Sequence, residues 1–405
     1  MERAWALQTD LNIFTQIEDE VPARPGVGPL SGVPIAVKDM IDHAGRLVTC
    51  GSAFYRRVAD ATAPCLAALE AAGAVVIGRT GMHEFAFGFS SENPHFGPVR
   101  NPWDRETSCG GSSGGSGAAV AAGIAPIALG TDTGGSVRVP AALCGTYGLK
   151  VTHGRIDTSR VFPLVPSIDT VGPLADSVAN IDLAYRIMSG DDRPEPAAGP
   201  LRLAVPQPWV DDAPMSDEVA DVFRRTIEAL TDLGHHVEEV EMPGVGPSPL
   251  VVPAIAEEVR EIHRPYRETG EVYGDDVAQR LADSEAATAE DIAEARRWQL
   301  HLRASFDEVF GHHDLVITPS VPVRSKRIGE EMIGDRHYRT VLSWFSYVAN
   351  HALIPAIALP LPGTGEPPLS LQAMAPVDGE PLLISFARAL ESEGLSGFRP
   401  APTME

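Results

Sequence analysis

Lysine is almost missing from this chain: Lys38, Lys150 and Lys326 are its only three, within 32 Lys plus Arg residues in all. Arginine keeps its proton nearly everywhere, whereas lysine gives it up when desolvated, so a chain built on Arg retains Lys where an amine must titrate. Positive charge as a whole is short. With 55 acidic residues the formal charge is −23 at pH 7, which excludes wrapping nucleic acid or an anionic membrane without a basic partner. Cysteine is scarce too. Cys50, Cys65, Cys109 and Cys144 are widely spaced, with no Cys-x-x-Cys or zinc pattern. That excludes a disulfide framework and reads as buried thiols in a reducing compartment. No apolar run of about 18 residues occurs, and none follows Met1-Glu2-Arg3-Ala4-Trp5. Neither a membrane span nor a leader is indicated, and the expected location is the cytoplasm. No metal and no other cofactor is expected.

Glycine and serine, by contrast, are concentrated in two blocks. Gly110-Gly111-Ser112-Ser113-Gly114-Gly115-Ser116-Gly117 and Thr131-Asp132-Thr133-Gly134-Gly135-Ser136 bracket the small apolar run 118–130. A flexible linker would be flanked by polar residues and lead into a new domain. Breakers this dense inside an apolar stretch mark a close approach of backbone to backbone or to a ligand. The first block opens straight into Ala118-Ala119-Val120-Ala121-Ala122, so its N–H groups are expected at the start of a buried helix, where they can hold developing negative charge. Lys38 closes the run 32–37, which reads as a buried strand entered through a turn. On the residues alone it is either a titrating amine or a structural cation paired with Asp39 or another carboxylate. Cys109 has no base next to it and reads as packing. Gly-x-Ser-x-Gly surrounds both Ser112 and Ser113, but residues 101–109 make a poor strand and the 12 histidines lack a marked context, against an α/β-hydrolase elbow. No lysine follows a Gly-x-x-x-x-Gly, which excludes a P-loop.

These blocks, together with Gly32-Val33-Pro34-Ile35-Ala36-Val37-Lys38-Asp39 and the continuation Val137-Arg138-Val139-Pro140, resemble the amidase signature family. The resemblance continues through Cys144-Gly145-Thr146-Tyr147-Gly148-Leu149-Lys150 and Asp169-Thr170-Val171-Gly172-Pro173, and is dense over residues 28–178. It implies a Ser-Ser-Lys triad, with Ser136 as acyl-accepting nucleophile, Ser112 as bridging serine and Lys38 as base. Thr133, Gly134, Gly135 and Ser136 would form the oxyanion hole. Asp132, Arg138 and Ser113 would support it, Arg138 by pairing with a carboxylate such as Asp132. The implied fold is one α/β domain over 1–405: a central mixed, mostly parallel sheet with helices on both faces. Its core would be 28–190 and 311–405, and a variable flank at about 191–310 would shape the substrate site. The implied function is hydrolysis of a carboxamide C–N bond in a small molecule by a homodimer or a chain with a small accessory subunit, without nucleic acid or membrane. The alternatives are the glutaminase subunit of a tRNA-dependent amidotransferase and a non-catalytic subunit of a hydrolase complex. The former is expected to carry an Asp where this chain has Ser343, ahead of Trp344-Phe345-Ser346-Tyr347-Val348-Ala349-Asn350.

Local signals place helices at 62–72, stopped by Gly73, and from Ser177 to about Ser189. Residues 190–200 break the pattern and form the best internal boundary. Beyond them come a strand at 201–205, a helix capped by Ser216 and ending at Gly234, and a strand at 237–240. The acidic stretch 250–310 reads as helical, with a capping box at Thr288-Ala289-Glu290-Asp291. Strands at 315–317 and 356–359 are separated by one helix at about 338–353, and a helix at about 382–391 closes the chain.

Overall fold

The computed structural model describes residues 1–19 and 26–402. Eleven strands form its main sheet: β1 (Phe14–Ile17), β2 (Pro34–Lys38), β3 (Val75–Thr80), β4 (Ile127–Asp132), β5 (Tyr147–Lys150), β6 (Thr170–Ala175), β7 (Arg202–Gln207), β8 (His236–Glu241), β9 (Leu315–Pro319), β10 (Ala356–Leu361) and β11 (Leu369–Met374). Their order across the sheet is β1-β3-β2-β4-β6-β5-β10-β11-β9-β7-β8. The central strands β4 and β6 are buried along their whole length, as expected of apolar runs covered on both faces. Alternation along them divides two cores. Ile35, Val37, Ile127 and Leu129 join the larger one, while Ala36 and Ala128 join a second on the opposite face with Ala118, Ala119 and Val120. Helices therefore cover both faces. The helix Gly114–Ala121 is wholly buried, and its small residues let it lie directly on the protein. A Cβ at Gly115 would come within 2.6 Å of the Gly81 and Ile13 carbonyl oxygens.

The sheet is mixed, but its expected parallel majority is not there. Six of the ten neighbouring pairings are antiparallel and four are parallel. Parallel pairing arises where a helix returns the chain, as Pro64–Ala71 does between β2 and β3 and Asp217–Asp232 between β7 and β8. Strands joined by short links, such as β10 and β11, pair antiparallel. The expected helix at 338–353 is also corrected. It is two short helices, Tyr338–Leu342 and Tyr347–His351. Between them the Ser343 hydroxyl donates back to the Arg339 carbonyl, and the bend delivers the Ser346 carbonyl to Arg138 at 2.7 Å.

Elsewhere the local chemistry acts as read. Ser177 and Ser216 cap the helices Val178–Ser189 and Asp217–Asp232, and Thr288 with Asp291 forms the capping box of Ala289–Phe310. The sheet runs on across residues 190–200: β7 and β8 extend its edge, and the helices Val251–Glu268, Asp275–Ala286 and Ala289–Phe310 follow them. An aromatic cluster seats these helices on the core, with Phe54 edge-on to Tyr273 at 5.0 Å and Phe85 to His263 at 5.1 Å between centroids.

Candidate active site

The carboxyl ends of the parallel neighbours β2 and β4 bring Lys38 and Thr131 side by side, the end of an open α/β sheet where ligands bind. Lys38 Nζ lies 2.6 Å from Ser112 Oγ and 2.7 Å from Thr131 Oγ1. Lys38 and Ser112 are fully buried. Burial pulls the Lys38 amine down to about 7, against the nearby carboxylates of Asp132 and Asp169, which raise it. Such an amine is substantially neutral at physiological pH. The Thr131 hydroxyl donates to Met40 Sδ at 3.4 Å, so its oxygen accepts from Lys38. A neutral Lys38 can then turn its lone pair to the Ser112 hydroxyl.

The two Gly/Ser blocks are laced together through Ser113. Its hydroxyl donates to the Thr131 carbonyl at 3.2 Å and accepts the Thr131 N–H at 3.3 Å, while its own N–H reaches the Ser136 carbonyl at 3.3 Å. Gly130 is needed for this approach, because a Cβ there would sit 2.8 Å from Ser113 Oγ. The Ser112 carbonyl accepts from the His83 N–H and the Ser91 hydroxyl. The Ser112 and Ser136 hydroxyls are not bonded to each other among the described residues. Contacts of this kind are often loose until a substrate is present.

One expectation for the first block fails. The Gly114 N–H donates to Ser91 Oγ and that of Gly115 to the Gly81 carbonyl. Donors already satisfied by the protein do not wait for a ligand.

In the second block, Asp132 organises the loop. Its carboxylate meets Arg138 in a fork of 2.9 and 3.1 Å, accepts the Gly135 and Val137 N–H groups, and accepts from Asn350 Nδ2. Burial works against the charge, but the Arg138 guanidinium holds the carboxyl well below its ordinary range. Arg138 is held in turn by Gln372 and Asn350, both at 2.7 Å. The Gly135 N–H is thus committed to Asp132, whereas those of Thr133, Gly134 and Ser136 have no partner in the described protein. The Thr133 hydroxyl donates to Asp169 at 2.6 Å, a buried carboxyl pushed up by desolvation.

Thr133, Gly134 and Ser136 open onto a cavity of about 250 Å³, walled by Phe87, Leu164, Ile255, Arg280, Arg339, Ser343, Tyr347 and other residues. Cys109 is buried away from it, and burial pushes its thiol up. No group of His, Cys, Asp and Glu suited to a metal occurs among the described residues, and no described helix is long and apolar enough to cross a membrane.

The sequence profile of the Amidase family matches residues 5–384. The chain belongs to the amidase signature family. Enzymes of this family hydrolyse carbon–nitrogen bonds, and relatives of this amidase-family chain divide between hydrolases and amidotransferase subunits. It is 34% identical to the AtzE subunit of 1-carboxybiuret hydrolase from Pseudomonas sp. (strain ADP), over 91% of this chain and 85% of that protein. It is 32% identical to a glutamyl-tRNA(Gln) amidotransferase subunit of Desulforamulus reducens, over 93% and 86%. A crystal structure of an amidase superposes with a TM-score of 0.90 at 29% identity, covering 97% of this chain and 94% of that one.

The structure adds residues that sequence reading passed over. Thr131 lies inside the second block and could have been found there. Arg280 and Arg339 carry no local signal, because each sits in an ordinary helix and reaches the cavity only through tertiary packing.

Proposed function

We propose that this chain is an amidohydrolase that cleaves a small carboxamide through an acyl group on Ser136. One observation carries the reading: a desolvated, largely neutral lysine lies 2.6 Å from a serine hydroxyl, beside a glycine loop with unpaired N–H groups at a cavity. A serine hydroxyl needs a base to act as a nucleophile at neutral pH. Lys38 takes the Ser112 proton as Ser112 takes that of Ser136, and Ser136 Oγ bonds to the carbonyl carbon. The oxyanion accepts N–H groups from Thr133, Gly134 and Ser136; each such donor contributes on the order of 10²–10³ in rate. The proton returns through Ser112 to the leaving nitrogen, the C–N bond breaks, and ammonia or an amine departs. Water then attacks the acyl-serine by the same relay and releases the acid. Asp132, Arg138 and Ser113 hold the loops. The core at 28–190 and 311–405 supplies the chemistry, and the flank at 191–310 shapes the acyl site.

Similarity to the tRNA-dependent amidotransferases keeps a second reading, a glutaminase that works with charged tRNA. The cavity counts against it, since Ser343 stands where an ammonium-binding Asp is expected and no acidic residue lines the wall among the described residues.

Ser136→Ala should fold normally and lose turnover by about 10⁴-fold or more, and a phosphonyl fluoride should label the unaltered protein at Ser136 only. Label on Ser113 or Cys109 would sink the assignment. Ammonia release from a panel of small primary amides, by the isolated chain without tRNA or ATP, decides between the two readings.

A further inference from the structure

Asp169 stands just ahead of β6, and its carboxylate is turned inward onto three donors. Oδ1 accepts the Thr133 hydroxyl at 2.6 Å, and Oδ2 accepts the Leu164 and Val165 N–H groups at 2.8 and 2.9 Å. Thr133 brings one of the unpaired N–H groups to the cavity, and Leu164 lines the same cavity. One carboxylate thus ties the loop of Ser136 to the segment that faces it. Its charge reaches further. Asp132, Asp169 and Cys50 are the acidic groups that face Lys38, and they are not equivalent. Asp132 lies in the fork of Arg138 at 2.9 and 3.1 Å, so its charge is largely offset. Burial pushes the Cys50 thiol well up, so it keeps its proton wherever Lys38 titrates. Asp39, next in the chain, and Arg79 of β3 pair with each other at 3.1 Å. Asp169 has only neutral partners among the described residues. The charged group that faces it in turn, Glu258 of the helix Val251–Glu268, is engaged by the Ser167 N–H and hydroxyl.

We propose that Asp169 is a positioning residue with two separable effects: through the Thr133 hydroxyl it holds the oxyanion loop, and through its negative charge it sets the pH at which Lys38 becomes a base. This rests on the amidohydrolase reading above and deepens it. The three donors favour the ionised carboxylate and oppose the desolvation that pushes it up. That charge favours the Lys38 ammonium, against the burial that draws the amine down. Burial keeps the base neutral, and Asp169 keeps it strong enough to take a proton. The two effects separate because an asparagine amide has one accepting and one donating end. Its oxygen can take the Leu164 and Val165 N–H groups while its NH₂ donates to Thr133 Oγ1, since a hydroxyl accepts as well as donates. Asp169→Asn therefore removes the charge and keeps the tie, whereas Thr133→Val removes the tie and keeps the charge.

The test is the rate at which a phosphonyl fluoride labels Ser136, followed over pH on both sides of the Lys38 titration. In that reaction Ser136 Oγ bonds to phosphorus, fluoride leaves, and the serine proton passes through Ser112 to Lys38, so the rate reports the base without a known substrate. The unaltered protein should show an acid limb centred at about 7. Asp169→Asn should move that limb down by about one pH unit. Thr133→Val should leave the limb in place and lower the plateau on the order of tenfold. Asp169→Ser, a second protein without the charge, should show the downward shift and the lower plateau together. Damage to packing alone would slow labelling equally at every pH and move no limb. A limb that stays put in both Asp169 variants overturns the electrostatic role, and an unchanged plateau in Thr133→Val overturns the hold on the loop. The failure of the amidase reading looks different: an unaltered protein that takes no label at Ser136 removes that reading and this inference with it, whereas a Ser136 that labels with an unmoved limb removes only the role of Asp169.

Discussion

Lys38 and Lys150 end two strands of the same sheet, are both fully buried, and are both drawn by desolvation to about 7. Their neighbours differ. Lys150 donates to the Val151 and Ile354 carbonyls at 2.8 Å each, groups with no proton to give. Lys38 sits between two hydroxyls, those of Thr131 and of Ser112, the proposed bridging serine. Desolvation makes an amine able to lose its proton, but only a partner carrying a transferable proton makes it a base. Lys326 completes the contrast. It pairs with Glu92 and stands 4.7 Å from the Tyr338 ring centre, the structural cation that the residues alone left open for Lys38.

The sharpest way to break this comparison is to keep the charge and remove the proton exchange. Lys38→Arg should lower kcat/KM by on the order of 10³-fold, since a guanidinium cannot accept the Ser112 proton, whereas Lys150→Met should stay within tenfold of the unaltered protein. An active Lys38→Arg would erase the distinction between the two lysines. A pH series sharpens it further. Because Lys38 must be neutral, the rate should fall about tenfold per pH unit below about 7 and level off above it. Lys150→Met must preserve that limb, and its loss there would transfer the base to the wrong lysine. The smallest effect is on stability. Between about 7 and the ordinary lysine value the unfolded chain holds a proton on Lys150 that the folded chain has released. Stability therefore rises with pH across that window, and Lys150→Met should reduce the slope by up to about 1.4 kcal/mol per pH unit. Denaturant midpoints at two alkaline pH values, compared between the two proteins, measure it.

Much of the framework was legible because its causes are local. Ser177, Ser216 and Thr288 cap helices through backbone groups three residues away, and the apolar runs of β2, β9 and β10 announce strands. The helix read across 338–353 was misjudged for the opposite reason. Its break exists to deliver the Ser346 carbonyl to Arg138, a residue 208 positions away in the chain. Strand direction was misjudged likewise, because antiparallel neighbours such as β5 and β10 meet from distant parts of the chain. The amides of the first glycine block were expected to await an anion, yet Ser91 and Gly81 supply their acceptors.

By itself the sequence determined the family, the positions of the lysine and the two serines, and the excess of acid over base, since residue identity, spacing and charge do not depend on folding. The tertiary structure alone decided that, of three buried lysines, Lys38 has hydroxyls beside it where Lys150 has carbonyls and Lys326 a carboxylate. It also decided that Arg280, on a distant helix, lines the cavity without an ion pair among the described residues, because desolvation and pairing are properties of what surrounds a group and not of its place in the chain.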